Sequence, residues 1–277
     1  MNGLVDDGRV MSDQKPKINL EINQNRMAQI IGAAVVQSTE VVGLHFEALK
    51  TFDLSQPPPS DATFYRFNTP NLNADQRRQI HESWILAKAF QELLRAVRHA
   101  LEEAHLLVAL LTKAHTVRSS ETLSVFLKPF QRKAAGLPFW KLMEDVNECL
   151  VPKLDFADSY KSLQAARNCL EHRAGVITNV ETKGASSFEL QTPRMKVFYL
   201  RGSTEVEIVI GEAIDSQDDR SEVDVFAKLQ TRSRSIPLGE RLSFNLAEFN
   251  EVAFACNYLG QQLSARLPRP ITQIEAE

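Results

Sequence analysis

The residues best suited to chemistry stand together in Ala166-Arg167-Asn168-Cys169-Leu170-Glu171-His172-Arg173-Ala174-Gly175. Arginine and histidine so close suit a reaction at phosphate. A guanidinium holds anionic oxygens bidentately, and an imidazole moves a proton near neutral pH. Phe156, Tyr160, Leu163, Ala166 and Leu170 recur at helical spacing, which predicts a helix over 156–172 with Gly175 as its C-terminal stop. On that helix Asn168 and His172 are i,i+4 neighbours whose side chains can touch, and its C-terminal end favours positive charge. Glu171 is i+4 from Arg167 and pairs with it in the weaker orientation for an isolated helix. An exposed pair of this kind contributes only about 0.2–1 kcal/mol, so a phosphate can displace it. The bland alternative is a solvated Arg167–Glu171 pair, with His172 and Arg173 simply complementing the helix end.

An Arg-Asn-x-x-x-His motif closing a helix of an α-helical bundle, here Arg167 to His172, resembles the signature of the HEPN superfamily. The resemblance covers roughly 73–175 and says nothing of the rest. It implies a metal-independent endoribonuclease acting as a homodimer, in which Arg and His of two protomers form one composite site. The RNA 2′-hydroxyl would attack the adjacent phosphate and leave a 2′,3′-cyclic phosphate. By resemblance Arg167 stabilises the phosphorane charge and Asn168 positions groups or orients the imidazole. His172 serves as general acid/base or as a charge stabiliser. A role in defence or stress response, toxin-like, follows from the same family. Other members are non-catalytic dimerising or RNA-binding modules, which is the alternative. Glu171 departs from the family pattern, where an apolar or small residue is usual.

Weaker constellations surround the motif. Lys128, Arg132, Lys133 and Lys141 have no Asp or Glu between them, and Phe130, Phe139 and Trp140 are close by. Together with Arg173 they are the expected RNA-binding cations, on the logic of a basic surface with stacking aromatics. Aromatics packed inward under a solvated charged face is the plainer alternative. Arg194, Lys196 and Arg201 form a second basic set, expected to face solvent. Arg95 and His99 form an i,i+4 pair, and His105 and His115 lie beyond. No His-x-x-x-His with a carboxylate occurs, so no metal site is expected. There is no GxGxxG, Walker or Gly-x-Ser-x-Gly pattern, and no cofactor is expected. Cys169 is read as a packing residue, since no separate base stands ready to activate it.

The elements that must position these residues follow from pattern. The chain has 277 residues, 43% of them apolar and 24% charged, with a net charge of −3. These values exclude a disordered chain and a globally basic nucleic-acid coat protein. Only 11 residues are glycine, which favours helix over a loop-rich all-β fold. The cysteines at 149, 169 and 256 are odd in number and lack a CxxC pair, as expected in a reducing compartment. The polar Met1–Lys17 lacks a signal-peptide core, and the apolar runs Ile30–Val36 and Leu106–Leu111 are too short to span a bilayer. A soluble, cytoplasmic protein with no membrane partner is expected.

The fold expected is α+β. Residues 1–17 form a tail and 18–175 an α-helical, HEPN-like bundle. Residues 176–245 form a small antiparallel β-rich extension, 246–267 a helix packing back on the bundle, and 268–277 a second tail. Within the bundle, helices are expected over about 24–49 and 73–113, the latter capped by Asn73 and Gln76. Others run from Ser119 or Ser120 to Gly136, from Phe139 to about Leu150, and over 156–172. Period-two segments at Phe188–Leu190, Lys196–Leu200, Glu205–Ile210 and Val223–Ala227 read as strands, with Asp215, Asp218 and Asp219 in a turn. The β-rich part is the expected docking surface for a regulatory protein partner.

Overall fold

The computed structural model describes residues 23–56, 71–113, 123–208 and 223–268. Seven helices and three strands occur among them: α1 (Arg26–Thr51), α2 (Ala74–Lys113), α3 (Leu123–Gly136), α4 (Phe139–Glu148), α5 (Ala157–His172), α6 (Asn179–Thr182), β1 (Ser187–Arg201), β2 (Thr204–Glu207), β3 (Val225–Pro237) and α7 (Leu246–Arg266). The fold is α+β, as the sequence pattern predicts. The acidic turn at Asp215, Asp218 and Asp219, the residue His115 and both expected tails beyond 23–268 lie outside the described residues.

α2 is the axis of the bundle. Its start is fixed by a reciprocal cap: Gln76 N donates to Asn73 Oδ1, and Asn73 N donates to Gln76 Oε1. Phe90, Leu93, Leu94, Val97 and Leu101 form its buried stripe. α1 runs antiparallel along it, tied at one end by Arg26 to Glu103 and at the other by Arg78 to the Leu49 carbonyl. α7 fills the space between them. Gly260 lets the two backbones close, since a Cβ there would stand 3.2 Å from Ala28 Cα and 3.3 Å from Ile31 Cβ. A second capping box, Asn245 with Glu248, starts α7. α5 runs antiparallel to α7, and the buried Tyr160 hydroxyl donates to the Ala255 carbonyl at 2.9 Å.

α1 revises one expectation. By length and composition it is a helix long and apolar enough to cross a membrane. Gln37, Ser38 and Thr39 interrupt its apolar run without adding charge, so its average stays high. In the fold, Met27, Ile31 and Val42 are buried in the common core, and Leu49 is buried as well.

The sheet has the order β2-β1-β3, all antiparallel. The two strands expected at 188–190 and 196–200 are one continuous β1 through Pro193. The reason lies in bond direction. Gln191 N points away from β3 and donates to Ser162 Oγ on α5, while Val197 O accepts from Ile208 N on the β2 side. Pro193 shares that direction, so its missing N–H costs no bond to β3. Ser162 Oγ also donates to Glu189 O, and α5 thereby covers a strand edge. β3 extends well past the expected Ala227, and α6, opened by a Thr178/Glu181 capping box, lies where strand texture was expected.

The second basic set is the clearest correction. Arg194 is 7% exposed, not solvent-facing. It pairs with Glu207 on β2 and with Glu251 on α7. Arg232 and Arg234 on β3 add pairs to Glu251 and Glu248. Lys196 and Lys228 both pair with Glu205.

Candidate functional site

The motif occupies the last turns of α5. Its inward residues anchor it: Leu163, Ala166 and Cys169 are buried in the core. Cys169 donates through Sγ to the Val176 carbonyl at 3.3 Å, and burial pushes its thiol above the ordinary value. That favours the packing role expected of it.

The chain leaves α5 by a tight left-handed turn. Ala174 has φ of 49° and Gly175 φ of 81°. Arg173 N and Gly175 N both donate to the Cys169 carbonyl. A Cβ on Gly175 would stand 3.2 Å from both Leu170 Cδ2 and the Leu242 carbonyl. Leu242 N donates to Gly175 O at 2.8 Å, and Val176 bridges to Arg241, so the strand-like segment before α7 is stitched to the motif turn.

Arg167 makes the expected pair with Glu171, Nη1 to Oε2 at 2.5 Å. The same nitrogen donates to Asn168 Oδ1 at 3.3 Å. Asn168 Oδ1 also accepts from Gln164 Nε2 at 2.9 Å. Asn168 is therefore engaged by its helix neighbours Gln164 and Arg167 rather than by His172. His172 is open, with 62% of its side chain exposed, and a Glu171 carboxylate oxygen stands 3.7 Å from its Nε2. On a helix, residues five apart diverge by about 140°. Arg167 and His172 thus present to two adjoining faces of α5, with Glu171 and Asn168 between them.

Arg173, expected among the RNA-contacting cations, is paired with Glu181 of α6, whose side chain is 1% exposed. Burial alone would raise the Glu181 carboxyl, but bonds from Thr178 and Arg173 outweigh it and hold the carboxyl below its ordinary range. Arg173 therefore fastens the motif turn to the capping box of α6.

The other expected cations lie elsewhere. Lys128, Arg132 and Lys133 are exposed on α3. The end of α3 rests on Arg98, whose Nη2 donates to the Ala135 and Leu137 carbonyls. Arg98 is about 21 Å along α2 from Trp84 by helical rise, and Trp84 neighbours the motif. Lys141 on α4 is paired with both Glu144 and Asp145. Of the aromatics, Phe139 is buried and Trp140 exposed, while Phe130 packs on Phe126. The structure does not bring this set beside Arg167 and His172.

Beside the motif lies a feature that pattern reading missed. A cavity of about 600 Å³ opens between α2, the end of α5 and the segment before α7, and Trp84, Leu170, Ala174 and Arg241 are among its walls. Trp84 reads as one more apolar position of α2, yet it is 59% exposed. Among the described residues, no group of three or more His, Cys, Asp or Glu could hold a metal ion. No family model, curated protein or solved structure matches the chain.

Proposed function

We propose that the protein is a HEPN-like, metal-independent endoribonuclease that acts as a homodimer, with Arg167, Asn168 and His172 at a composite site. The observation that carries this reading is the helix end itself: an open imidazole beside a guanidinium that, among the described residues, is tied only to its own helix. In this reading His172 moves the proton of the attacking 2′-hydroxyl or of the leaving 5′-oxygen. Arg167 exchanges Glu171 for the phosphorane oxygens, and Asn168 positions Arg167. The divergence of Arg167 and His172 supports a second protomer supplying the complementary group. RNA reaching the α3 cations would have to run along α2. The buried stripe of α1 and the three unpaired cysteines support the cytoplasm as its place.

A second reading, a non-catalytic dimerising or RNA-binding module, is favoured by the Arg167–Glu171 contact, which neutralises the cation in the free protein. Its β-rich region would then be the docking surface for a regulatory partner. One experiment separates the two. Wild type and His172→Ala are incubated with RNA in excess EDTA and the fragment ends identified. Cleavage to 2′,3′-cyclic phosphates, lost in the variant, is the result expected. Cleavage that survives the substitution, or needs a divalent cation, overturns the proposal.

A further inference from the structure

We infer that the cavity between Trp84, Lys88 and Arg241 is a subsite for one nucleotide of a single-stranded RNA, with the base on Trp84 and its phosphate between the two cations. The inference rests on the reading of the motif as a site for RNA, and extends it to residues outside the motif.

Position comes first. Leu170 lies inside the motif and Ala174 just beyond it, and both line the cavity. Arg167, Leu170 and Glu171 follow the i, i+3, i+4 pattern of one helical face, and Ala174 stands in the turn just beyond it. The cavity therefore borders the face that carries Arg167. A nucleotide seated there leaves its neighbour along the strand at the Arg167–His172 turn.

Chemistry comes second. The cavity contains Lys88 and Arg241, and among the described residues no Asp or Glu lines it. Among the described residues neither cation meets a carboxylate; Lys88 contacts only the Gln91 side chain, at 3.4 Å. Arg241 is held in place by backbone, through the Val176 bridge and the Leu242–Gly175 bond, while its side chain stays exposed. Trp84 offers a large indole face to solvent, whereas Phe90, the other large aromatic of α2, is buried. Two unpaired cations beside an exposed indole match a phosphate joined to a planar base. Gln79, Ser83 and Gln91 supply donors and acceptors for base edges. The neighbouring groove between α1 and α2 shares Trp84 and Lys88 but carries Glu92, and lacks this complementarity.

The test exploits composition. The chain has two tryptophans, so Trp140→Phe leaves Trp84 as the sole indole fluorophore. A short 2′-O-methyl oligonucleotide, which lacks the attacking hydroxyl, is titrated into this protein. Saturable quenching of Trp84 emission is expected. Arg241→Ala should weaken binding about tenfold, and Trp84→Ala about as much when binding is followed by polarisation of a labelled oligonucleotide. Binding that leaves Trp84 emission unchanged, and is equally tight in Trp84→Ala and Arg241→Ala, overturns the inference; so does absence of binding. Cleavage is read separately. Cleavage that depends on His172 with a silent Trp84 refutes the subsite and spares the ribonuclease reading. Quenching with no His172-dependent cleavage supports the subsite and refutes that reading.

Discussion

Arg167 and Arg194 both meet glutamates, and the two meetings have opposite character. Arg167 finds Glu171 one turn along its own helix, with 20% and 32% of the two side chains exposed. Arg194 leaves β1 to reach Glu207 on β2 and Glu251 on α7, with 9% of its side chain exposed. A pair within one helix joins nothing that the helix does not already join. Its cation can be lent to a ligand at little cost to the fold. A pair across three elements locks the sheet to the bundle, and removing one member strands the others in a poorly solvated place.

The largest expected effect follows directly. Arg194→Ala should lower the stability seen in urea denaturation by about 3–5 kcal/mol, and Arg167→Ala by less than about 1 kcal/mol. Equal losses would break the contrast. Next comes the turn that carries the motif. Gly175→Ala forces a side chain into φ of 81° and against the Leu242 carbonyl, for a loss of about 1–3 kcal/mol in the same assay. An unchanged midpoint would show that the turn relaxes freely.

The acid limb sharpens the comparison further, because Arg173–Glu181 is the motif's own cross-element pair. The Glu181 carboxyl is held below its ordinary 4.5 in the fold, as the Thr178 and Arg173 bonds outweigh burial. Its stabilisation is therefore present above about pH 4.5 and is lost as pH falls through the folded-state value. Glu181→Gln should be less stable than wild type at neutral pH, with the gap closing below about pH 4.5. A gap independent of pH would remove the charge from the explanation. The smallest effect is at Glu171. Glu171→Gln should change stability by no more than about 0.5 kcal/mol. On the proposed function it tightens oligonucleotide binding severalfold by freeing Arg167. Weaker binding would show that Glu171 serves the site rather than masks it.

Local pattern and distant pairing divide what the sequence made legible. The cap at Asn73, the stripe of α2, the end of α5 at Gly175 and the start of α7 at Leu246 are all local signals, and each was readable from spacing. So was the Arg167–Glu171 pair. β3 beyond Ala227 was not, because its Lys-Leu-Gln-Thr-Arg-Ser-Arg run owes its order to carboxylates on α7. The continuity of β1 through Pro193 was not legible either, because it depends on that residue's missing N–H pointing away from β3. The outward Arg194 failed for the same cause: its partners lie 13 and 57 residues away. At the site, the motif was legible and the cavity was not. Its walls come from α2, α5 and the segment before α7, and nothing in the spacing of Trp84 marks it as the exposed member of its stripe.

The place of α7 has a consequence for how the chain comes into being. α1 and α2 leave the ribosome before the sheet, while the helix that fills the gap between them arrives only after it. At about 5–20 residues per second the interval between the end of α2 and the start of α7 is on the order of ten seconds. Throughout it Ile31, which α7 covers at Gly260, has no final neighbour. The Leu242–Gly175 stitch that sets the motif turn is also still unmade. A growing chain therefore offers an apolar cleft to chaperones before it owns a finished motif, and whatever chemistry the motif performs begins only once the segment before α7 has been made.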